Sequence, residues 1–417
     1  MPVLYAAAAV CLLFAGSAAA VDTLVLCPTE FQAALVPWEK HRRQQGHEIL
    51  VIPPPEESAQ VLAAVRRVGQ SGRLKYLLLV GDVPGGQFRN AGVPRCSIPT
   101  NYVSAKVNTR WGSEPTLATD APYGDLNGDG VPELAVGRIP ADSVEELAAV
   151  VRKILRYEQQ SPASQPRHLN VVAGMGGFGT LTDALIEAAA RQVIQQTVPL
   201  GYDVRQTSAN PTSPHWPPAG EFRDCVCRQF AEGGLAWIYL GHGLPSELDR
   251  VATPKGHKSI LSVDDVPLLR CGSHGPLAVL VACYTGAIDA GQDCLAEELL
   301  LAEEGPVAVI AATRVTMPYG NTVLGYELLR AYFSDRPVEL GETLRLAQRR
   351  TLSDAADDTL RQSLDMLARG LSTPPVDLAA ERREHVSMYH LLGDPLVRLR
   401  RLPEEMAYGA GGDSIAK

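Results

Sequence analysis

The sequence is poor in three things. After residue 20 no stretch reaches the roughly 18 uninterrupted apolar residues that a membrane-spanning helix needs, so no transmembrane segment is expected there. Positive charge is not in excess: 38 Lys and Arg stand against 47 Asp and Glu, a net of −9. That balance argues against an electrostatic grip on nucleic acid or on anionic lipid. Eight cysteines in 417 residues are too few for a disulfide scaffold, and no His/Cys cluster has the spacing of a zinc site. The 37 glycines and 31 prolines are spread along the chain, which excludes collagen and low-complexity linkers. What remains, 46% apolar and 20% charged, has ample material for a core, and the length predicts two or three compact units.

Tyr5 to Ala15 is an apolar run too short to span a bilayer, and Ser17, Ala18, Ala19 and Ala20 follow it in an A-x-A pattern. This predicts a secretory signal peptide over residues 1–20, cleaved after Ala20. The mature chain is then expected to be secreted or held in the periplasm or cell envelope, where disulfides are permitted. The segment lacks a leading Lys or Arg, which leaves a buried N-terminal helix as the competing reading. Cys11 precedes apolar residues rather than a polar spacer, so lipidation is not expected.

From residue 21 short apolar runs alternate with helical patterns. Strands are expected at Thr23–Leu26, Glu48–Ile52, Tyr76–Val80, Glu133–Gly137, Leu169–Ala173, Tyr202–Gln206, Leu235–Leu240, Leu277–Ala282, Val307–Ala311 and Leu396–Leu399. The run Leu77-Leu78-Leu79-Val80 lacks polar alternation, as a parallel strand covered on both faces does. The helix Ser143–Tyr157 opens on a capping box of Ser143 and Glu146. The fold class is therefore α/β with mainly parallel sheets. The Pro-containing stretch Gln159–Arg167 places a boundary near residue 165, between an N-terminal unit (21–165) and a second unit (166–403); residues 404–417 form a Gly-rich tail.

In open α/β sheets, ligands bind beyond the carboxyl ends of strands. The strand Leu235–Leu240 runs into Gly241-His242-Gly243, and Leu277–Ala282 runs into Cys283. If these strands are neighbours, an imidazole and a thiol emerge at one rim. A thiol needs a proton acceptor or a positive neighbour to become a nucleophilic thiolate. The glycines flanking His242 permit close backbone approach and leave the Gly243 N–H available to an oxyanion. Separately, a strand-end Cys or His is more often a buried, satisfied residue; the pairing of the two favours chemistry.

Leu240-Gly241-His242-Gly243 and Val281-Ala282-Cys283 resemble the catalytic dyad of the gingipain-like cysteine peptidases, in the clan of caspases and legumain. The likeness extends to Leu77–Asp82, Asp120–Asp125, Val136-Gly137-Arg138, Arg156-Tyr157-Glu158, Ile310–Arg314 and Leu391–Pro395, in the order typical of that family. The resemblance implies a two-part caspase-like α/β/α sandwich. It also implies Cys283 as nucleophile, His242 as proton carrier, and the N–H groups of Gly243 and Cys283 as the oxyanion hole.

The likeness departs in one loop. Where gingipains bring an acidic residue near the histidine, Ala173-Gly174-Met175-Gly176-Gly177 offers Met175. The specificity carboxylate of arginine-specific members falls near Asp183, a candidate pocket floor for a basic side chain; capping of its own helix by Thr182 or Asp183 is the plainer reading. Tyr319 is a candidate wall of the same pocket. Asp125, Asn127 and Asp129, with Gly130, alternate as calcium ligands do, but position 136 is Val where a bidentate Glu is expected. A structural calcium or a plain Asx turn fits this loop equally, and no cofactor is expected to be required. Cys27, Cys96, Cys271 and Cys294 could form disulfides whose pairing sequence does not give, whereas Cys225 and Cys227 face different directions on one helix.

The expected activity is that of an exported cysteine endopeptidase acting on protein or peptide substrates through a thioester. Two alternatives remain open at this point: a sortase-like transpeptidase at the cell surface, and a catalytically impaired binding module of the same fold.

Overall fold

The structure is a computed structural model and describes residues 21–84, 97–164, 166–177, 179–217, 221–253, 256–371 and 377–401. The expected signal peptide, Cys96 and the tail 404–417 lie outside these residues.

Fourteen strands are described: β1 (Thr23–Leu26), β2 (Ile49–Ile52), β3 (Tyr76–Val80), β4 (Asn101–Ser104), β5 (Thr116–Thr119), β6 (Ala135–Ile139), β7 (His168–Ala173), β8 (Asp203–Ser208), β9 (Ala236–Leu240), β10 (Arg250–Thr253), β11 (Gly256–Ser259), β12 (Leu277–Val281), β13 (Ala308–Ala312) and β14 (Tyr389–Leu392). Ten of them form one sheet in the order β2-β1-β3-β6-β14-β13-β12-β9-β7-β8. The pairs β1–β2, β1–β3 and β3–β6 are parallel, as are β13–β12, β12–β9, β9–β7 and β7–β8. Helices cover both faces. Alternation along β3 explains its unbroken apolar run: Leu78 and Val80 enter one core cluster, while Leu77 and Leu79 enter another.

The helix Val144–Glu158 begins as its sequence predicts. Ser143 Oγ accepts the Glu146 N–H at 3.2 Å and Glu146 Oε2 accepts the Ser143 N–H at 3.2 Å, while Leu147, Val150, Val151 and Ile154 are buried. Strands from both sides of residue 165 share the one sheet. They meet through β14, which runs antiparallel to β13 and touches β6 at the single pair Leu392–Arg138.

That last strand differs from expectation. It occupies Tyr389–Leu392, whereas residues 396–399 follow a turn and pair only through a lone bridge from Arg398 to Glu339. Asp394 explains the turn: its carboxylate accepts from Trp38 Nε1 (2.5 Å), Arg42 Nη2 (2.6 Å) and the Leu396 N–H (2.8 Å), all fully buried. Arg42 Nη1 also donates to Glu158 Oε1 and Oε2, both at 2.8 Å, so helix Gln32–Gln44, helix Val144–Glu158 and the turn are locked together. The hairpins β4–β5 and β10–β11 have no clear apolar period in the sequence and were not expected. Cys225, Cys227, Cys271, Cys283 and Cys294 are free thiols.

Candidate active site

Strands β9 and β12 are parallel neighbours in register, with Leu240 opposite Val281. Past the last rung, the Gly241 N–H donates to the Val281 carbonyl (3.3 Å), and the Gly174 N–H donates to the Leu240 carbonyl (2.8 Å). The ends of β7, β9 and β12 are thereby aligned, and exposed His242 and half-buried Cys283 leave the sheet at the same rim. A Cβ on Gly243 would lie 2.7 Å from the Cys283 carbonyl oxygen and 2.7 Å from Thr285 Cγ2, so only glycine fits there. The loop after β7 lies on the imidazole, since a Cβ on Gly177 would be 2.9 Å from His242 Nε2.

The chain bends sharply after Cys283. Tyr284 has φ 59°, a left-handed conformation that a bulky residue holds only when its surroundings demand it. Its N–H donates to the Arg314 carbonyl (3.2 Å) and its hydroxyl donates to Glu114 (2.9 Å). Arg314 is itself fixed by a buried, two-pronged pair with Asp289 at 2.8 and 2.6 Å. Cys283 Sγ accepts the Thr316 N–H at 3.3 Å, with the Thr316 carbonyl and hydroxyl oxygens each at 3.8 Å. Among the described residues, neither the Gly243 N–H nor the Cys283 N–H donates a hydrogen bond within the protein.

The loop at His242 is held by a carboxylate that sequence reasoning missed. Asp249 Oδ2 accepts the Met175 N–H (2.9 Å) and the His242 N–H (3.2 Å), and it lies 2.8 Å from the Tyr239 hydroxyl. That hydroxyl is also 2.9 Å from the His242 carbonyl. Burial and the adjacent carboxylate push the Tyr239 phenol well above its usual range, so it stays a donor. Met175 therefore joins the site through its backbone, and Asp249 anchors the peptide of His242. The only hint in the sequence is an acid seven residues past the histidine, just before β10.

The other expected site residues are placed as follows. Asp183 lies in the first turn of helix Thr180–Thr197, and its carboxylate turns back onto the loop over His242. Oδ1 accepts the Gly177 N–H (3.3 Å), and Oδ2 lies 2.4 Å from where a Gly176 Cβ would be. The Tyr319 hydroxyl donates to Asp365 (2.7 Å) and accepts from Arg382 Nη1 (2.7 Å). Tyr319 packs against an apolar cluster to which the helix that carries Asp183 contributes Ala189 and Val193.

In the candidate calcium loop, Asp125 accepts the N–H groups of Gly128 (2.7 Å) and Gly130 (2.8 Å). Asn127 accepts from the Asp129 N–H and Asp129 accepts from the Val131 N–H, both at 2.8 Å. These oxygens cap their own turn. Among the described residues, one acidic group has ligand atoms all within 4.8 Å of one another: Asp82, Asp142 and Asp293. Near them Glu297 is 1% exposed and its Oε1 has no hydrogen-bond partner. Burial first, then Asp82 and Asp293, raises its carboxyl well above the usual range.

The fold is thus α/β, a mainly parallel sheet flanked by helices, with a thiol and an imidazole at the ends of neighbouring strands. The model of Peptidase family C25 matches residues 17–400, so the chain belongs to that family and is a cysteine peptidase. Solved structures agree on the fold. The Arg-specific cysteine proteinase gingipain R superposes with a TM-score of 0.65 at 17% identity, covering 91% of this chain and 78% of that one. The complex of Porphyromonas gingivalis RgpB pro- and mature domains gives a TM-score of 0.66 at 17% identity, covering 91% and 79%. A further solved protease gives 0.65 at 19% identity, with 91% and 79% covered. No curated protein sequence matches the chain at a significant level.

Proposed function

We propose that the chain is an exported cysteine endopeptidase in which Cys283 and His242 form a catalytic dyad. The observation that carries this reading is the register of β9 on β12, which sets Gly243 against the Cys283 peptide and brings both side chains to one rim. Cys283 Sγ, its proton passed to His242, attacks the scissile carbonyl carbon. The resulting oxyanion takes the N–H groups of Gly243 and Cys283, each donor worth roughly 3 kcal/mol of barrier. His242 then returns the proton to the leaving amine as the C–N bond breaks, leaving a thioester on Cys283. Attack of water on the thioester, with His242 as base, releases the acid and restores the thiol. Residues 1–20 support export of the chain.

We also propose a structural calcium ion. The hard oxygens of Asp82, Asp142 and Asp293, with the orphaned Glu297 Oε1, fit it better than the self-capped turn at Asp125, Asn127 and Asp129. When bound, the ion supplies positive charge to a crowded set of carboxylates.

The test is labelling by peptidyl acyloxymethyl ketones that vary in the residue before the scissile bond, followed by mapping of the modified residue. Label on Cys283, lost in Cys283→Ala together with at least a thousandfold of peptide hydrolysis, is the expected result. An unlabelled but folded protein would make the chain a binding module. Preference for Arg or Lys would assign Asp183 to the pocket floor, and preference for small or acidic residues would remove it.

A further inference from the structure

The thiol of Cys283 meets a second set of groups, on the side of the loop that follows β13. Thr316 directs its N–H at Sγ from 3.3 Å and holds its hydroxyl 3.8 Å from the same sulfur. That hydroxyl is itself oriented. Asn321 Nδ2 donates to Thr316 Oγ1 at 2.8 Å, which leaves the Thr316 proton for its other neighbours, the Cys283 sulfur and the Tyr389 oxygen. Asn321 is in turn fixed because the Tyr389 hydroxyl donates to its Oδ1 at 2.7 Å. The backbone is clamped one residue further on, where the Met317 N–H donates to His385 Nε2 at 2.9 Å. His385 holds the required tautomer because its Nδ1 hydrogen goes to the Glu381 carbonyl at 2.8 Å. The imidazole lies flat against Gly320, where a Cβ would come within 2.3 Å of Nδ1.

We propose that Asn321, oriented by Tyr389, is a positioning residue that turns Thr316 into a two-donor cradle for the Cys283 thiolate. A sulfur anion gains more from N–H and O–H donors than a neutral thiol does, so the cradle favours ionisation without adding a charge. The relay runs Tyr389 O–H to Asn321, Asn321 N–H to Thr316 and, once the sulfur is an anion that outcompetes the neutral Tyr389 oxygen, Thr316 O–H to sulfur. It rests on the reading of Cys283 as nucleophile, yet it concerns only the ionisation of the thiol.

The other groups near Cys283 are Tyr239 from β9 and Tyr389 from β14, with His242 at the same rim and the Glu114–Tyr284 and Asp289–Arg314 pairs beyond them. Burial raises both phenols far above their ordinary range, so they stay neutral while the thiol titrates. Asn321 and Thr316 carry no charge, so changing them removes dipoles and leaves the charges in place.

The experiment is the pH dependence of Cys283 alkylation by iodoacetamide in the full chain, a reaction that needs a thiolate and no peptidase turnover. Asn321→Ala and Thr316→Ala are expected to move the midpoint upward by about one pH unit, a tenfold smaller thiolate fraction at pH below it. Thr316→Ser, which keeps the hydroxyl, is expected to return the midpoint to the wild-type value. At pH above all midpoints the rates should converge, which loss of local structure would not produce. Unmoved midpoints in folded Asn321→Ala and Thr316→Ala would overturn the proposal, as would a Thr316→Ser variant that behaves like Thr316→Ala. If the midpoints shift while the chain hydrolyses no peptide, the endopeptidase reading fails and the cradle stands.

Discussion

Gly243 presses on Cys283: the missing Cβ of one is 2.7 Å from the carbonyl oxygen of the other. Two loops that leave the sheet forty residues apart in sequence thus share one contact, and any side chain at 243 must push them apart. Gly243→Ala is expected to lower kcat for peptide hydrolysis at least a hundredfold, because it displaces the proposed oxyanion donors. It should also cost about 1–3 kcal/mol of stability from overpacking against backbone. Steady-state kinetics and urea denaturation on the same preparation check both figures.

Asp249 holds Tyr239, Met175 and the peptide of His242 at once. Asp249→Ala leaves two N–H groups without their acceptor and the buried Tyr239 phenol with the His242 carbonyl alone. We expect a loss of roughly 3 kcal/mol in unfolding free energy and a fall in kcat with little change in KM, since the Asp249 carboxylate is engaged by Tyr239 and by the Met175 and His242 peptides. Asp249→Asn, which retains one acceptor oxygen, should fall between the two. A variant with wild-type kcat would show that the position of His242 is set elsewhere.

His385 and Glu381 should give pH effects of opposite sign. Burial depresses the His385 imidazole to about 4, so below pH 6.5 the unfolded chain takes a proton that the folded chain refuses. Its stability contribution is lost as pH falls from 6.5 toward 4. Burial raises the Glu381 carboxyl to about 7, so the unfolded chain releases its proton first and stability is lost as pH rises from 4.5 to 7. Over pH 4.5–6.5 the two slopes offset. His385→Gln should expose a fall in stability with rising pH, and Glu381→Gln a fall with acidification, each approaching ~1.4 kcal/mol per pH unit relative to the wild type. Denaturation midpoints measured across this range decide it.

Calcium should raise the melting temperature if Asp82, Asp142, Asp293 and Glu297 share an ion. The expected gain at a hundredfold excess over Kd is about 2.7 kcal/mol, and a chelator should remove it. Asp293→Asn should abolish the calcium effect, and Asp125→Asn should leave it intact. The reverse pattern would return the ion to the turn at Asp125.

Much of the sheet was legible because buried parallel strands carry continuous apolar runs. β1 and β3 coincide with the expected ranges, and β9 and β12 differ by one residue at one end. The pair His242 and Cys283 was legible for the same reason: each follows directly on such a run. The rest depended on contacts between distant segments. Asp249, Thr316 and Asn321 have no local pattern, because their roles come from hydrogen bonds to groups that other loops bring near. β14 was misplaced because Leu396, Val397 and Leu399 are as buried as a strand. Only the carboxylate of Asp394, reaching back to Trp38 and Arg42, shows that the chain has already turned.

The position of β14 bears on how such a chain is made. The last of the described strands sits between β6 and β13, so the two halves of the sheet cannot be joined until residue 392 is available. A chain without β14 would present two half-sheets, each with a bare edge open to wrong partners. Closure of the sheet is therefore tied to the presence of residues 389–392. Shortened chains should be recognised as unfinished by their edges well before any question of activity arises.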